Sequence, residues 1–444
     1  RCVEAATAGD FDAGLEVEKA EFRRLIEGPQ SAALRHIFFA ERKAARIVDM
    51  PADIRAKPIA KVAVIGAGTM GGGIAMNFLN VGIPVSIIET TQEALDRGLA
   101  AIAKNYASTV SKGRLSEADA QKRQALLTPT LDFNAVADVD LVIEAVFENL
   151  DLKKTIFEKL GRTAKPEAIL ATNTSFLNVD AIGEASGRAE QVLGMHFFSP
   201  ANVMRLLEVV RGEKTDPQTL ATVMALGRKI GKVPAVSRVC EGFIGNRMLR
   251  VRQPNADRMM LEGIAPERID RVLTDFGFPM GPFAMMDMAG LDVGWSRETS
   301  KSATVRDLLN ECGRHGLKTK AGFYDYDENR RPSPSAVTAQ IAKELSQRLG
   351  ITPRDYSDEE ILDWLLLPLI NEGARILEEG IAQQASDIDV VWVYGYGWPA
   401  YTGGPMYHAD RLGLSNVVEA LKRMNIEPAR ILEERAKNGT KLGE

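Results

Sequence analysis

The stretch Lys61-Val-Ala-Val-Ile-Gly66-Ala-Gly68-Thr69-Met70-Gly71 decides the fold. Residues 61–65 form a short, β-branched apolar run, which suits a strand buried on both faces. It runs straight into Gly-x-Gly-x-x-Gly, and helical spacing follows through Met76 and Phe78 to about Val81. Gly66 permits a tight turn out of the strand. Gly68 lets backbone approach a pyrophosphate, and Gly71 lets the helix lie close to the sheet. The helix N-terminus, at Thr69 and Met70, offers unpaired N–H groups and partial positive charge to phosphates. The next apolar run, 83–88, ends at Glu89, 21 residues beyond Gly68. A carboxylate there accepts hydrogen bonds from a ribose 2′-OH and repels a 2′-phosphate, so NAD is expected over NADP. A glycine-rich turn without a ligand is the plain alternative, and the strand–turn–helix–acid context disfavours it.

Working outward, strands are expected at 141–143, 169–171, 192–196, 206–210 and about 233–236, with a helix over 151–160. Strands alternating with helices predict a doubly wound parallel sheet over about 60–238. Beyond Gly242 helical spacing dominates. Here NADRMMLEGIAPERIDRVLTDFGFPMGP, from Asn255, is echoed by NEGARILEEGIAQQASDIDVVWVYGYGWPAYTGGP, from Asn371, with a period of about 115 residues. That period is too long for a solenoid and suits a duplicated helical domain. Upstream, residues 15–49 read as helix, but with too few apolar partners to form a core. The expected division is 1–57, a helical segment and linker; 58–238, the nucleotide domain; 239–335 and 336–444, two homologous all-α domains.

The 444 residues, at roughly 150 per domain, agree with about three domains. The net charge of −5 argues against a surface devoted to nucleic acid. No run approaches the roughly 20 apolar residues of a membrane span. Three scattered cysteines are too few for a disulfide framework or zinc site, so no metal is expected.

Of four histidines, only His196 ends a predicted strand of the nucleotide sheet, where strand carboxyl ends face ligands. Glu208, twelve residues on, falls on the next candidate strand. Side by side, the carboxylate would orient the imidazole and stabilise its protonated form. Spacing alone is only suggestive: a lone histidine on an apolar run is more often a core residue, and Glu208 also suits a solvated strand-end charge. Asn173-Thr174-Ser175 and Phe243-Ile-Gly-Asn246-Arg247, read alone, suit caps and turns.

The segments VIGAGTMGGGIA, EAVFENLDLKK, ATNTSFL, GMHFFSPANVMRLLEVV, EGFIGNRML and FGFPMGPFAMMDMAGLDVGW resemble the signature blocks of 3-hydroxyacyl-CoA dehydrogenases. GYGWPAYTGGPMYHAD resembles the multifunctional β-oxidation enzymes, the peroxisomal type and its bacterial relatives. The resemblance covers about residues 10–444. It implies NAD-dependent oxidation of a 3-hydroxyacyl-CoA, with His196 as general base and Glu208 as its carboxylate partner. It further implies Ser175 and Asn246 as substrate-binding, site-ordering residues. Glu148, Lys153 and Asn173 join Gly66, Gly68, Thr69, Met70, Gly71 and Glu89 as the cofactor set. The second helical copy has no FIGNR block, so a structural role, completing the fold and covering the first copy, is expected of it.

The pattern departs from the family at Lys320, where glycine is usual, and at His408, where an aromatic is usual and which reads as a packing variant. Residues 11–51 resemble the last helices of an enoyl-CoA hydratase region. The hydratase core is absent, so neither hydratase nor isomerase activity is expected. Beginning at Arg1, the chain reads as the dehydrogenase end of a longer enzyme. The implied partners are the acyl-CoA substrate and either a thiolase subunit or the missing hydratase domain. Lys441-Leu-Gly-Glu444 is not a Ser-Lys-Leu address, so a bacterial-type, cytoplasmic location is expected over a peroxisomal one. Two other readings compete. One is a hydroxy-acid or sugar-acid dehydrogenase, which turnover of the free acid would reveal. The other is an NAD-binding structural protein of the same fold that has lost activity, which tight binding without turnover would reveal.

Overall fold

A computed structural model describes residues 1–443. Eight strands form one sheet: β1 (Val62–Ile65), β2 (Val85–Ile88), β3 (Leu127–Thr130), β4 (Leu141–Glu144), β5 (Ile169–Thr172), β6 (Val192–Phe197), β7 (Leu206–Arg211) and β8 (Val233–Arg238). Their order is β3-β2-β1-β4-β5-β6-β7-β8. Every neighbouring pair is parallel except β6–β7. The strand order reverses between β1 and β4, and ligands bind such sheets at this crevice. β1, β2, β4 and β5 are buried at every position, as apolar runs with no alternation require. β3 has no such run. Its Leu-Thr-Pro-Thr sits half-exposed at the edge, where Pro129 costs little and no apolar run is needed.

Gly66 has φ +100°, and a Cβ there would lie 2.7 Å from the Ala145 carbonyl oxygen. A Cβ on Gly71 would lie 1.9 Å from the Gly66 oxygen. Both glycines are therefore fixed by sterics. The helix Thr69–Leu79 starts at Gly68, as the motif predicts.

The helical half holds two copies of one arrangement. In the first, Asp270 accepts from the N–H groups of Phe283 (3.0 Å) and Ala284 (2.9 Å), at the start of helix Pro282–Ala289. In the second, Asp389 accepts from Met406 (2.7 Å) and Tyr407 (3.3 Å), at the start of helix Pro405–Leu412. These are the Ile-Asp and Gly-Pro landmarks of the sequence repeat, joined as a cap. Both carboxyls are pushed above the usual range by burial. The third partner differs. Tyr324 Oη donates to Asp270 (2.8 Å), whereas His36 Nε2 meets Asp389 (2.8 Å).

His36 lies on helix Pro29–Ala44, which buries Ala33, Ile37, Ala40 and Ala44 and packs on helix Ala385–Gly395. The single helix expected over 15–49 is broken at Gly28-Pro29. Helix Phe11–Ile26 ends there with no buried residue, and Pro29 opens the next helix at its first turn. The polar stretch 325–335 carries part of a two-stranded hairpin, Tyr324–Tyr326 with Pro332–Pro334. Among the described residues, all three cysteines are free, no His/Cys/Asp/Glu group is placed to hold a metal, and no helix is long and apolar enough to cross a membrane.

Candidate active site

Antiparallel pairing of β6 with β7 sets His196 directly across from Glu208. Imidazole Nδ1 lies 2.8 Å from Glu208 Oε2. Glu208 is fully buried and His196 is 4% exposed. The second carboxylate oxygen accepts from the N–H groups of Ile244 (3.2 Å) and Gly245 (3.1 Å), where helix Gly245–Leu261 begins. Glu208 therefore orients the histidine and ties the first helical copy to the sheet. With Nδ1 facing the carboxylate, Nε2 remains for a reacting group. The ring lies against Phe198 (centroids 4.4 Å) and Phe243 (5.7 Å). Phe243 adopts φ +52°, the left-handed region a bulky residue seldom occupies, just after Gly242 at +82°.

Asn246 follows Gly245. Its Nδ2 donates to the Ser175 carbonyl (3.4 Å), and its Oδ1 accepts from Tyr396 Oη (2.8 Å). Ser175 N–H and Thr174 Oγ1 both donate to Glu148 Oε1, at 2.8 and 2.5 Å. Asn173 Oδ1 accepts from the Phe197 N–H (2.9 Å), linking the ends of β5 and β6. Lys153 is fully buried, 2.6 Å from Glu144 Oε1 and 3.6 Å from Glu148 Oε2. Glu144 also accepts from Thr172 Oγ1 (2.7 Å) and the Val146 N–H (2.8 Å).

Glu89 ends β2 beside the glycine turn. Its Oε1 accepts from Ala67 N–H (2.8 Å) and its Oε2 from Thr90 N–H (3.0 Å). Each oxygen keeps a lone pair for a ribose hydroxyl. A Cβ on Gly68 would meet nothing within 4 Å, so the turn faces open space at the helix N-terminus. That cradle, with an acid on its ribose side, fits a dinucleotide without a 2′-phosphate.

All the residues singled out from sequence thus fall into one connected region. Gly66, Gly68, Thr69, Met70, Gly71 and Glu89 lie at one end, around the β1 turn and the end of β2. His196, Glu208, Ser175 and Asn246 lie at the other end, and Asn173, Glu148 and Lys153 lie between. His36, His315 and His408 are elsewhere, paired with Asp389, paired with Asn310, and packed edge-on to Phe276 and Trp398. Glu144 was missed, although a carboxylate ending an apolar strand was visible in β4. Tyr396 was missed because 150 residues separate it from Asn246. From the second copy, Tyr396 reaches Asn246 of the first.

A carboxylate-backed imidazole at the strand ends of a sheet that carries a dinucleotide-type glycine turn is the arrangement of an NAD-dependent dehydrogenase. Residues 61–240 match the family model of the 3-hydroxyacyl-CoA dehydrogenase NAD-binding domain. Residues 242–326 and 361–441 match that of its C-terminal domain. The chain belongs to the 3-hydroxyacyl-CoA dehydrogenase family. It is 39% identical over 474 residues to the peroxisomal bifunctional enzyme of Cavia porcellus, covering 99% of this chain and 65% of that enzyme. It is 36% identical to the fatty acid oxidation complex subunit alpha of Shewanella amazonensis, covering 95% of this chain and 60% of that subunit. Among solved structures it is similar to the dehydrogenase part of multifunctional enzyme 1 from C. elegans. There the TM-score is 0.66 and the identity 30%, over 90% of this chain and 96% of that one. The chain spans about two thirds or less of the length of these curated relatives, 65% and 60%.

Proposed function

We propose that this chain oxidises (S)-3-hydroxyacyl-CoA to 3-oxoacyl-CoA in fatty-acid β-oxidation. The observation that carries the reading is the His196–Glu208 pair at the mouth of a sheet with a dinucleotide turn. His196 Nε2 takes the proton of the 3-hydroxyl. Bound NAD supplies the hydride acceptor for the hydrogen leaving C3. The buried Glu208 carboxylate holds the ring in place and stabilises the imidazolium formed. Asn246 and Ser175 order the substrate. Lys153 and Glu148 hold the nicotinamide half of the cofactor, and Asn173 sets the β5 and β6 ends that carry both groups. Gly66, Gly68, Thr69, Met70 and Gly71 receive the pyrophosphate, and Glu89 the adenosine ribose. Loss of activity has no feature in its favour.

We read the chain as four units, 1–57, 58–238, 239–335 and 336–444, the first a helical remnant of a hydratase region. A hydratase domain or a thiolase subunit is the partner we infer. Names of the relatives and the exposed Phe11, Phe22 and Leu25 on the N-terminal helix support that inference. The test is NADH formation with 3-hydroxybutyryl-CoA, compared with the free 3-hydroxy acid and with NADP. Tight NAD binding with no turnover of any 3-hydroxyacyl-CoA would refute the reading.

A further inference from the structure

We propose that Tyr396, contributed by the second helical copy, is a positioning residue for the dehydrogenase site. Its hydroxyl fixes the amide of Asn246 so that Nδ2 is the donor offered to substrate. The inference rests on the function proposed above.

Two contacts set the amide. Tyr396 Oη donates to Asn246 Oδ1 at 2.8 Å, and Nδ2 donates to the Ser175 carbonyl at 3.4 Å. Turning the amide over would set Oδ1 against that carbonyl oxygen, two acceptors facing each other. The phenol stays protonated. Burial raises its pKa well above the ordinary tyrosine value, and the nearby Glu208 charge adds to the shift. It therefore donates, and Oδ1 is its acceptor. A glutamine or asparagine held by one flexible contact would sample both orientations. Here the orientation is decided from outside the first copy.

The ring is held as firmly as the hydroxyl. It stacks on buried Trp392 (centroids 4.8 Å, 27°) and meets Phe198 edge-on (5.5 Å, 78°). Phe198 is the ring that lies 4.4 Å from His196. A Cβ on Gly245 would fall 2.1 Å from the Tyr396 ring, so the residue that precedes Asn246 must be glycine for Tyr396 to sit there. Tyr396 thus backs both the amide and, through Phe198, the imidazole. The second copy does not merely cover the first; the site is incomplete without one of its side chains.

The experiment uses the whole chain. Wild type is first assayed for NADH formation with 3-hydroxybutyryl-CoA. Tyr396→Phe keeps the ring and removes the hydroxyl. It is expected to lower kcat roughly ten- to a hundredfold, with KM for NAD and the melting temperature unchanged. Asn246→Ala is made alone and together with Tyr396→Phe. If the hydroxyl acts through the amide, adding Tyr396→Phe to Asn246→Ala changes kcat by less than about twofold. Asn246→Asp leaves Tyr396 an acceptor but removes the donor, and is expected to fall as far as Asn246→Ala; it also serves should Tyr396→Phe fail to fold. A kcat for Tyr396→Phe within twofold of wild type, losses that multiply in the double variant, or an active Asn246→Asp would each overturn the inference. A wild type inactive on every 3-hydroxyacyl-CoA would instead defeat the functional reading beneath it.

Discussion

Glu208 faces His196 across the antiparallel β6–β7 ladder with one oxygen and caps the helix of Asn246 with the other. One buried carboxylate therefore sets the base and the amide together. His196→Ala is expected to lower kcat about 10²- to 10⁴-fold, the range of a lost general base, with folding retained by circular dichroism. Glu208→Gln should lower both kcat and stability, because a neutral amide cannot accept at both sites in the same way. A Glu208→Gln variant with wild-type kcat would show that the pair does not serve the chemistry.

Glu144 and Lys153 form an ion pair with both side chains out of solvent. Lys153→Met leaves an uncompensated buried carboxylate and should cost about 3–5 kcal/mol in urea unfolding. The double change Glu144→Leu with Lys153→Met should recover much of that loss. If the double variant is as unstable as the single, charge burial is not the cause.

In the proposed function Glu89 excludes a 2′-phosphate by charge and receives the ribose by hydrogen bonding. Glu89→Gln should weaken NAD binding about tenfold, as expected for a lost charged acceptor. Affinity for NADP should rise relative to NAD. Fluorescence titration with each nucleotide reads both values, and an unchanged ratio would remove Glu89 from the selectivity.

His408 carries a depressed pKa, about 4, because it is buried, with Arg411 adding to the effect. Its Nδ1 has no hydrogen-bond partner among the described residues. The unfolded chain, with histidine near 6.5, binds the proton more readily. Stability from this group is therefore complete above about pH 6.5 and lost as pH falls toward 4. His408→Phe should remove that loss, up to about 2 kcal/mol at pH 5 and little at pH 8, by the same linkage. Equal unfolding curves for the two proteins at pH 5 would contradict it. Asp387, buried and raised to about 6, pulls the opposite way in wild type and variant alike, so only the difference is diagnostic.

Lys320 holds φ +56°, the left-handed region. That explains why its departure from glycine matters: a side chain there is strained by roughly 1 kcal/mol or more. Its ion pair with Glu328 is exposed and offsets little. Lys320→Gly should therefore raise stability by about 1 kcal/mol in urea unfolding. A loss of stability would mean that the exposed pair outweighs the strain.

Much of this was legible in the chain itself. Gly66, Gly71 and Glu89 could be read because a dinucleotide turn is local: strand, turn, helix and acid lie within some thirty residues, and each residue type answers a steric or electrostatic demand. The helical duplication was legible for the same reason, since Ile-Asp and Gly-Pro are a cap and the helix it caps. His196 and Glu208 stood out as candidates, but twelve residues of spacing could not choose between a site and a core. Their meeting was set by the tertiary structure, where antiparallel pairing in register places the two side chains face to face. β3 stayed invisible because an edge strand needs no apolar run. The Asn246–Tyr396 contact and the seat of His36 on Asp389 bridge 150 and 353 residues. Such pairings follow from how the two helical copies and the N-terminal helix pack. Packing depends on the whole shape of the chain, so no local pattern encodes it.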